Sequence, residues 1–385
     1  MNQDVAGASR LEKLAPLLKF DPDNLLLHRE CVALAMQGGE YARALDLVDA
    51  RLTRHPSEAE SLFARTNALI GLGQHADALP LLQSLEEQGI ARPAVLQNLA
   101  TTHYALRQFE NSAAYAQQLI AAGEKSPGVV HLAVSSLHFL GDVDAAAKLA
   151  DEHLSLAQSH GPLAGACAIL FYDVEQPEKA AKLAAVALAQ NPDSVDGLIV
   201  EAALAAGELE NDQAFRQYTR VLELSPGVGR AWLGLGLLAM LTQDFAKAKE
   251  LLGRATELMP QHLGSWHSLA WAHLFSGDRA GAEKYFKHVL DLDRNFSESH
   301  GAMAAIHAMK GERAAAEREI EIAERLDRNG GTAQFARALL LEGEKGAAAG
   351  REHIFRSVAK LATRGKGKPA AWLADVARKN SKTSG

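Results

Sequence analysis

Gly234, Gly236 and Ala239 spell G-x-G-x-x-A, one form of the fingerprint that lets backbone approach a dinucleotide pyrophosphate at a helix N-terminus. Fifteen histidines offer a second chemistry: His131 and His138 are seven apart and so share one helical face, and His103 precedes them. Imidazoles in that arrangement hold zinc when cysteines or carboxylates complete the tetrahedron, but no tight cluster of such partners accompanies them. The chain contains no G-x-x-x-x-G-K-[ST], H-E-x-x-H, G-x-S-x-G or C-x-x-C. No catalytic group, metal or cofactor is therefore expected. What the glycines and histidines do depends on the elements that carry them.

The chain has 385 residues, 48% hydrophobic and 23% charged, which is the composition of a folding sequence and not a disordered one. Prolines are few, at twelve, and Ala, Leu and Glu are abundant, so helix is favoured throughout. No run of 18 apolar residues is present, so no membrane span is expected. The opening MNQDVAGASRLEKLAPLLKF lacks the basic-then-apolar order of a secretory signal. Two cysteines, Cys31 and Cys167, make no disulfide framework, and a cytoplasmic setting is expected.

An internal period organises the rest. Pro22 and Pro56 lie 34 residues apart, and Pro192, Pro226 and Pro260 stay on the same count. Ala44, Ala78, Ala146, Ala180, Ala214, Ala248, Ala282 and Ala316 occupy one 34-residue ladder, whose remaining rung is Ser112, also small. Units accordingly begin at Leu25, Ala59, Pro93, Pro127, Gly161, Val195, Gly229, Leu263 and Ser297. Each starts with a helix carrying apolar or small residues at unit positions 4, 7, 8 and 11, as in Trp232, Leu235, Gly236 and Ala239. A turn follows, often with Gly at position 15 (Gly39, Gly73, Gly141, Gly277, Gly311), suited to a left-handed residue. Position 16 is Asp, Glu or Gln (Asp142, Asp244, Asp278, Glu40), expected to serve the free N–H groups of a second helix. That helix carries the ladder alanine at position 20 and a larger residue at 24, such as Tyr218, Leu252 or Phe286. Small against large lets the helices interdigitate. Gly234 and Gly236 thus read as packing residues, since no strand precedes them.

This grammar resembles the tetratricopeptide repeat (TPR) family. The unit from Gly229 to His262 carries Trp232, Leu235, Gly236, Ala248, Ala255 and Pro260 at the family's signature positions, and the next carries Trp266, Leu269, Ala282 and Phe286. The units beginning at Ala59, Pro93 and Pro127 lack the terminal proline; Pro93, Pro127 and Pro162 stand instead in the first turn of the following helix. The resemblance implies an all-α, right-handed α-solenoid of about nine full 34-residue repeats over 25–330. Residues 1–24 then form a half-repeat cap, and 331–385 a degenerate tenth repeat, a capping helix over KPAAWLADVARKN and a basic tail.

The resemblance also implies a concave groove lined by the first helices, with ligand contacts from unit positions 2, 5, 9, 12 and 13. Early units supply Phe63, Asn67, Gln97, Thr101 and Tyr104. Middle units supply His131, Ser135, His138, Phe139, Tyr172 and Asp173, and later ones Arg230, Leu237, His267, Trp271, Leu274 and Phe275. Some of these, Leu237 and Leu274 among them, are equally suited to internal packing. Gly165 and Gly301, on the same positions, would admit a ligand backbone. The family's carboxylate clamp is incomplete: Asn67 and Asn98 match its asparagines, but Phe63, Gly128 and Leu132 stand where its basic residues would be.

The expected function is a non-enzymatic scaffold or adaptor that binds a protein or peptide segment in this groove. Alternatives are a self-assembling homo-oligomeric platform, or an accessory subunit docking an enzyme of a glycan, secretion or pilus pathway. Residues 351–385 hold nine Lys or Arg against Glu352 and Asp375, on a chain of net charge −7. The rest of the array is therefore acidic, and nucleic acid is not an expected partner.

Overall fold

The 34-residue count is realised as paired helices. The computed structural model describes residues 10–90, 93–328, 330–350 and 352–353. Among them, first helices begin at Leu25, Ala59, Pro93, Pro127, Gly161, Val195, Gly229, Leu263 and Ser297, the residues at which the units begin. Second helices begin sixteen residues later in every case, from Tyr41 to Arg313. No strand occurs among the described residues. The chain divides into two compact units, Met1–Gln190 and Asn191–Gly385.

The turn between paired helices is the same in all nine repeats. Position 15 is left-handed whether or not it is glycine: Gly39, Gly73, Gly141, Gly277 and Gly311 share this conformation with Arg107, Glu175, Leu209 and Gln243, whose φ values are 57–60°. Around Gly39 the N–H of Glu40 donates to Ala35 O (2.8 Å) and that of Gly39 to Met36 O (3.1 Å), which closes the first helix and reverses the chain. Position 16 departs from expectation. Asp142, Asp244 and Asp278 accept from the N–H groups of Ala145, Lys247 and Gly281, whereas Glu40, Gln74, Gln108, Glu210 and Glu312 make no such cap. Their side chains are a methylene longer than aspartate and turn elsewhere: Gln108 and Glu312 pair with His103 and His307, and Glu40 with Arg43.

Packing explains the small residues. All eight ladder alanines are fully buried, and the ninth rung, Ser112, has its hydroxyl satisfied by that of Ser136 at 2.9 Å. A Cβ on Gly234 would fall 2.2 Å from the Tyr218 ring, and one on Gly236 would fall 2.6 Å from Leu252 Cγ. These glycines lie inside the helix Gly229–Leu241, with no strand before it, so G-x-G-x-x-A marks close helix packing. Within each compact unit, first helices of neighbouring repeats touch one another, while neighbouring second helices have no comparable contact. The first helices therefore form the inner layer of each stack and the second helices the outer.

In the Met1–Gln190 unit, the helical stretch that includes 10–14 tightens into a short 3₁₀ helix, Ala15–Lys19, at Pro16. The second helix of the Pro127 repeat is broken: Val143–Glu152 ends at His153, and a short helix, Leu154–Ala157, completes the repeat. In the Asn191–Gly385 unit, Gly331–Lys345 starts one period after Ser297 and lies on the helix Ser297–Met309. A Cβ on Gly301 would meet Thr332 Oγ1 at 2.2 Å and Ala333 N at 2.5 Å. Gly301 thus admits the next helix of its own chain, and the expectation that it admits a ligand backbone is corrected. Residue 351 and everything from 354 on, including the rest of the tenth repeat, the KPAAWLADVARKN segment and the basic tail, lie outside the described residues.

Candidate binding groove

The inner layer of the Met1–Gln190 unit is polar at one end and aromatic at the other. Asn98 Nδ2 donates to Asn67 Oδ1 at 2.5 Å. Asn67 also lines, with Arg29 and Glu60, a cleft of about 280 Å³ between the helices Leu25–Gln37 and Ala59–Gly71. Phe63 is half-buried and packs on the core around Leu82 and Leu99, so part of it is structural. Gln97 is exposed, and Thr101 hydroxyl turns back to Gln97 O at 2.9 Å. Ser135, at 6% exposure, has little surface to offer.

Tyr104 organises the aromatic end. It meets Phe109 edge-on at 5.6 Å between centroids and stands 6.3 Å from His131 and 6.2 Å from Phe139. Burial pushes the His131 imidazole below its ordinary pKa, and the nearby His160 adds to this. His131 is therefore a neutral ring at neutral pH. His138 Nε2 lies 2.8 Å from Asp173 Oδ2, joining adjacent repeats, and Tyr172 beside it is 37% exposed.

In the Asn191–Gly385 unit three of the expected residues meet. Trp271 Nε1–H donates to His267 Nε2 at 2.9 Å. That nitrogen must accept, because indole has no acceptor, so the imidazole proton sits on Nδ1 and points to Ser299 Oγ at 3.1 Å. Burial among Phe286, Phe296 and Trp271 holds His267 at a pKa of about 4. The Trp271 ring stacks on Phe275 at 5.1 Å. Leu237, Leu241 and Phe275 are 44%, 58% and 51% exposed, so this inner face is apolar and open. Leu274, by contrast, is buried in the core. Arg230 is half-buried at the start of Gly229–Leu241.

Phe109 and Phe245 lie outside the first-helix positions that define the expected set. Both begin second helices, at position 17, and reach position 13 of the next repeat: Phe109 stacks on Phe139 at 4.6 Å, and Phe245 meets Phe275 at 5.9 Å. The signal was present, since Tyr41, Phe109 and Phe245 repeat an aromatic at that position. Among the described residues no three His, Cys, Asp or Glu side chains converge to hold a metal ion.

Profiles of the tetratricopeptide repeat match residues 33–93, 203–271 and 263–296. The chain is a tetratricopeptide repeat protein. TPR modules generally bind proteins and are generally non-catalytic, and in that general sense this TPR chain is an interaction scaffold. No curated protein matches its sequence. Its fold is similar to that of the Cut9–Hcn1 hetero-tetramer of the APC/C, at TM-score 0.56 and 12% identity over 99% of this chain and 82% of that one. It is also similar to human IFIT1, crystallised as a dimer with m7Gppp-AAAA, at TM-score 0.52 and 13% identity over 86% and 89% of the two chains. Both likenesses are of fold. No described helix of this TPR protein is long and apolar enough to cross a membrane.

Proposed function

We propose that the chain is a docking scaffold whose inner helix faces hold an extended or helical segment of a protein partner. The observation that carries this reading is the fixing of Trp271, its N–H bound to His267 and its ring against half-exposed Phe275, on an inner layer where Leu237 and Leu241 are exposed as well. A rigid aromatic among apolar side chains offers area that a ligand can cover without ordering the receptor. The Met1–Gln190 unit supports a different segment chemistry, because its inner layer carries polar groups, among them Asn67, Gln97, Thr101, His138 and Asp173, as well as the aromatic Tyr104. The reading takes the chain to act in the cytoplasm, where the buried free thiols of Cys31 and Cys167 stay reduced.

The test is affinity capture from native lysate with the wild type and two variants whose folding circular dichroism has confirmed. One carries Trp271→Ala with Phe275→Ala, and the other Tyr104→Ala, His138→Ala and Tyr172→Ala. Partners held by the wild type and lost from a variant support the groove. Identical capture by all three overturns it, and sedimentation across concentrations identifies a second copy of the chain as the occupant.

A further inference from the structure

The outer layer of the Asn191–Gly385 unit holds a cleft of about 540 Å³ between the second helices Phe245–Leu258 and Arg279–Leu292. One of its lining residues is a glycine. Gly253 stands in a helix interior, where glycine costs about 1 kcal/mol relative to alanine, and apart from its own helix backbone and chain neighbours nothing lies within 4 Å of the place its Cβ would take. Gly234, Gly236 and Gly301 each admit a neighbour that a Cβ would strike; Gly253 admits none.

The cleft wall is aromatic. Trp266 stacks on Tyr285 at 5.8 Å and is met edge-on by His288 at 4.5 Å. Its indole N–H is taken by Pro260 O at 2.9 Å, so the ring offers π-surface and no donor. Asp291 lines the same cleft and makes no hydrogen bond or ion pair among the described residues. Within the cleft Lys284 Nζ lies 5.4 Å over the Tyr285 ring, and one period before Trp266 the Arg254 guanidinium lies 6.0 Å over Trp232. One period after Arg254 stands His288, so Trp266 lacks the arginine that Trp232 has.

We propose that this cleft is a docking site for an arginine side chain on a basic segment of a partner protein. The guanidinium lies against Trp266 and Tyr285 and pairs with Asp291. Lys284, whose ammonium lies over Tyr285, lines the same cleft. The site is on the outer layer and does not depend on the groove reading.

The full chain is titrated with N-acetyl-Gly-Arg-Gly-amide and with its citrulline counterpart, which keeps the shape and loses the charge, following the tryptophan indole N–H signals by NMR. The expected result is saturable binding of the arginine peptide and at least about tenfold weaker binding of the citrulline peptide. Asp291→Asn and Gly253→Leu each weaken it by at least about tenfold, while Trp271→Ala leaves it unchanged. Gly253→Leu alters no charge, so it separates the cleft from general attraction to an acidic chain. Absence of saturable binding, equal affinity for citrulline, retained affinity in Gly253→Leu or loss in Trp271→Ala overturns the proposal.

Discussion

Gly234 and Tyr218 occupy complementary space across a repeat boundary: the Cβ that Gly234 lacks would lie 2.2 Å from the Tyr218 ring. Gly234→Ala should therefore destabilise the chain by about 1–3 kcal/mol through overpacking, despite alanine's better helix propensity. Tyr218→Ala in the same background should recover part of that loss, because the two changes share one contact. Gly253→Ala is the control and should stabilise by about 1 kcal/mol. Urea unfolding of the four proteins measures all of this, and equal midpoints for the two alanine variants would sink the packing account.

Leu209 holds a left-handed conformation at φ 60° in a turn where five sister repeats place glycine. A β-carbon there costs about 1–2 kcal/mol, part of which glycine gives back as unfolded-chain entropy. Leu209→Gly should raise stability by about 1 kcal/mol, as should Gln243→Gly, read as an upward shift in denaturant midpoint at constant m-value. Gly277→Leu should do the reverse.

His267 makes the fold sensitive to mild acid. Its folded pKa of about 4 lies below the ordinary 6.5, so the unfolded chain takes up the proton first as pH falls. The stabilisation is whole above pH 6.5 and lost as pH drops toward 4, amounting to about 2 kcal/mol by pH 5. His267→Gln can still accept from Trp271 and donate to Ser299 but does not titrate. Its stability between pH 4 and 6.5 should be flatter than the wild type's; parallel curves would refute the assignment.

Arg51 is buried at 5% exposure and grips Glu58 through Nε and Nη2 at 2.5 and 2.7 Å, tying the end of helix Tyr41–Leu52 to the next repeat. This pairing, helped by Ser61, holds Glu58 down at about 2. Its contribution is present above about pH 4.5 and lost as pH falls toward 2, a window below that of His267. Glu58→Gln should destabilise by about 2 kcal/mol at neutral pH, since the arginine keeps its charge in a dry site. Arg51→Met with Glu58→Leu should recover most of that loss, as thermal unfolding will report.

The repeat boundaries were legible because small residues at fixed intervals have one geometric use: each ladder alanine sits where two helices touch. The turn was legible at Gly39 and Gly277 but hidden at Leu209, where tertiary closure overrides residue preference. The caps were read too broadly, because sequence pattern does not distinguish the reach of Asp244 from that of Glu312. The groove was half legible. First-helix positions located Trp271 and Tyr104, yet their partners Phe286, Phe335 and Phe109 come from other helices and only the fold brings them in. Gly301 seats the helix starting at Gly331, a contact that the repeat pattern alone does not distinguish from room for a ligand backbone.

The described helices make substantial contact only within their own repeat and with adjacent ones. Such a chain melts as a one-dimensional lattice, each repeat carrying its own stability plus a coupling to its neighbours. No distant closure holds it to a single all-or-none event, so loss begins at the ends or at the weakest internal joint. The break at His153 gives the Pro127 repeat the shortest second helix of the nine and makes it that joint. Hydrogen exchange there should outrun exchange in the repeats on either side, leaving separately folded blocks at temperatures where a globular domain would already be wholly native or wholly unfolded.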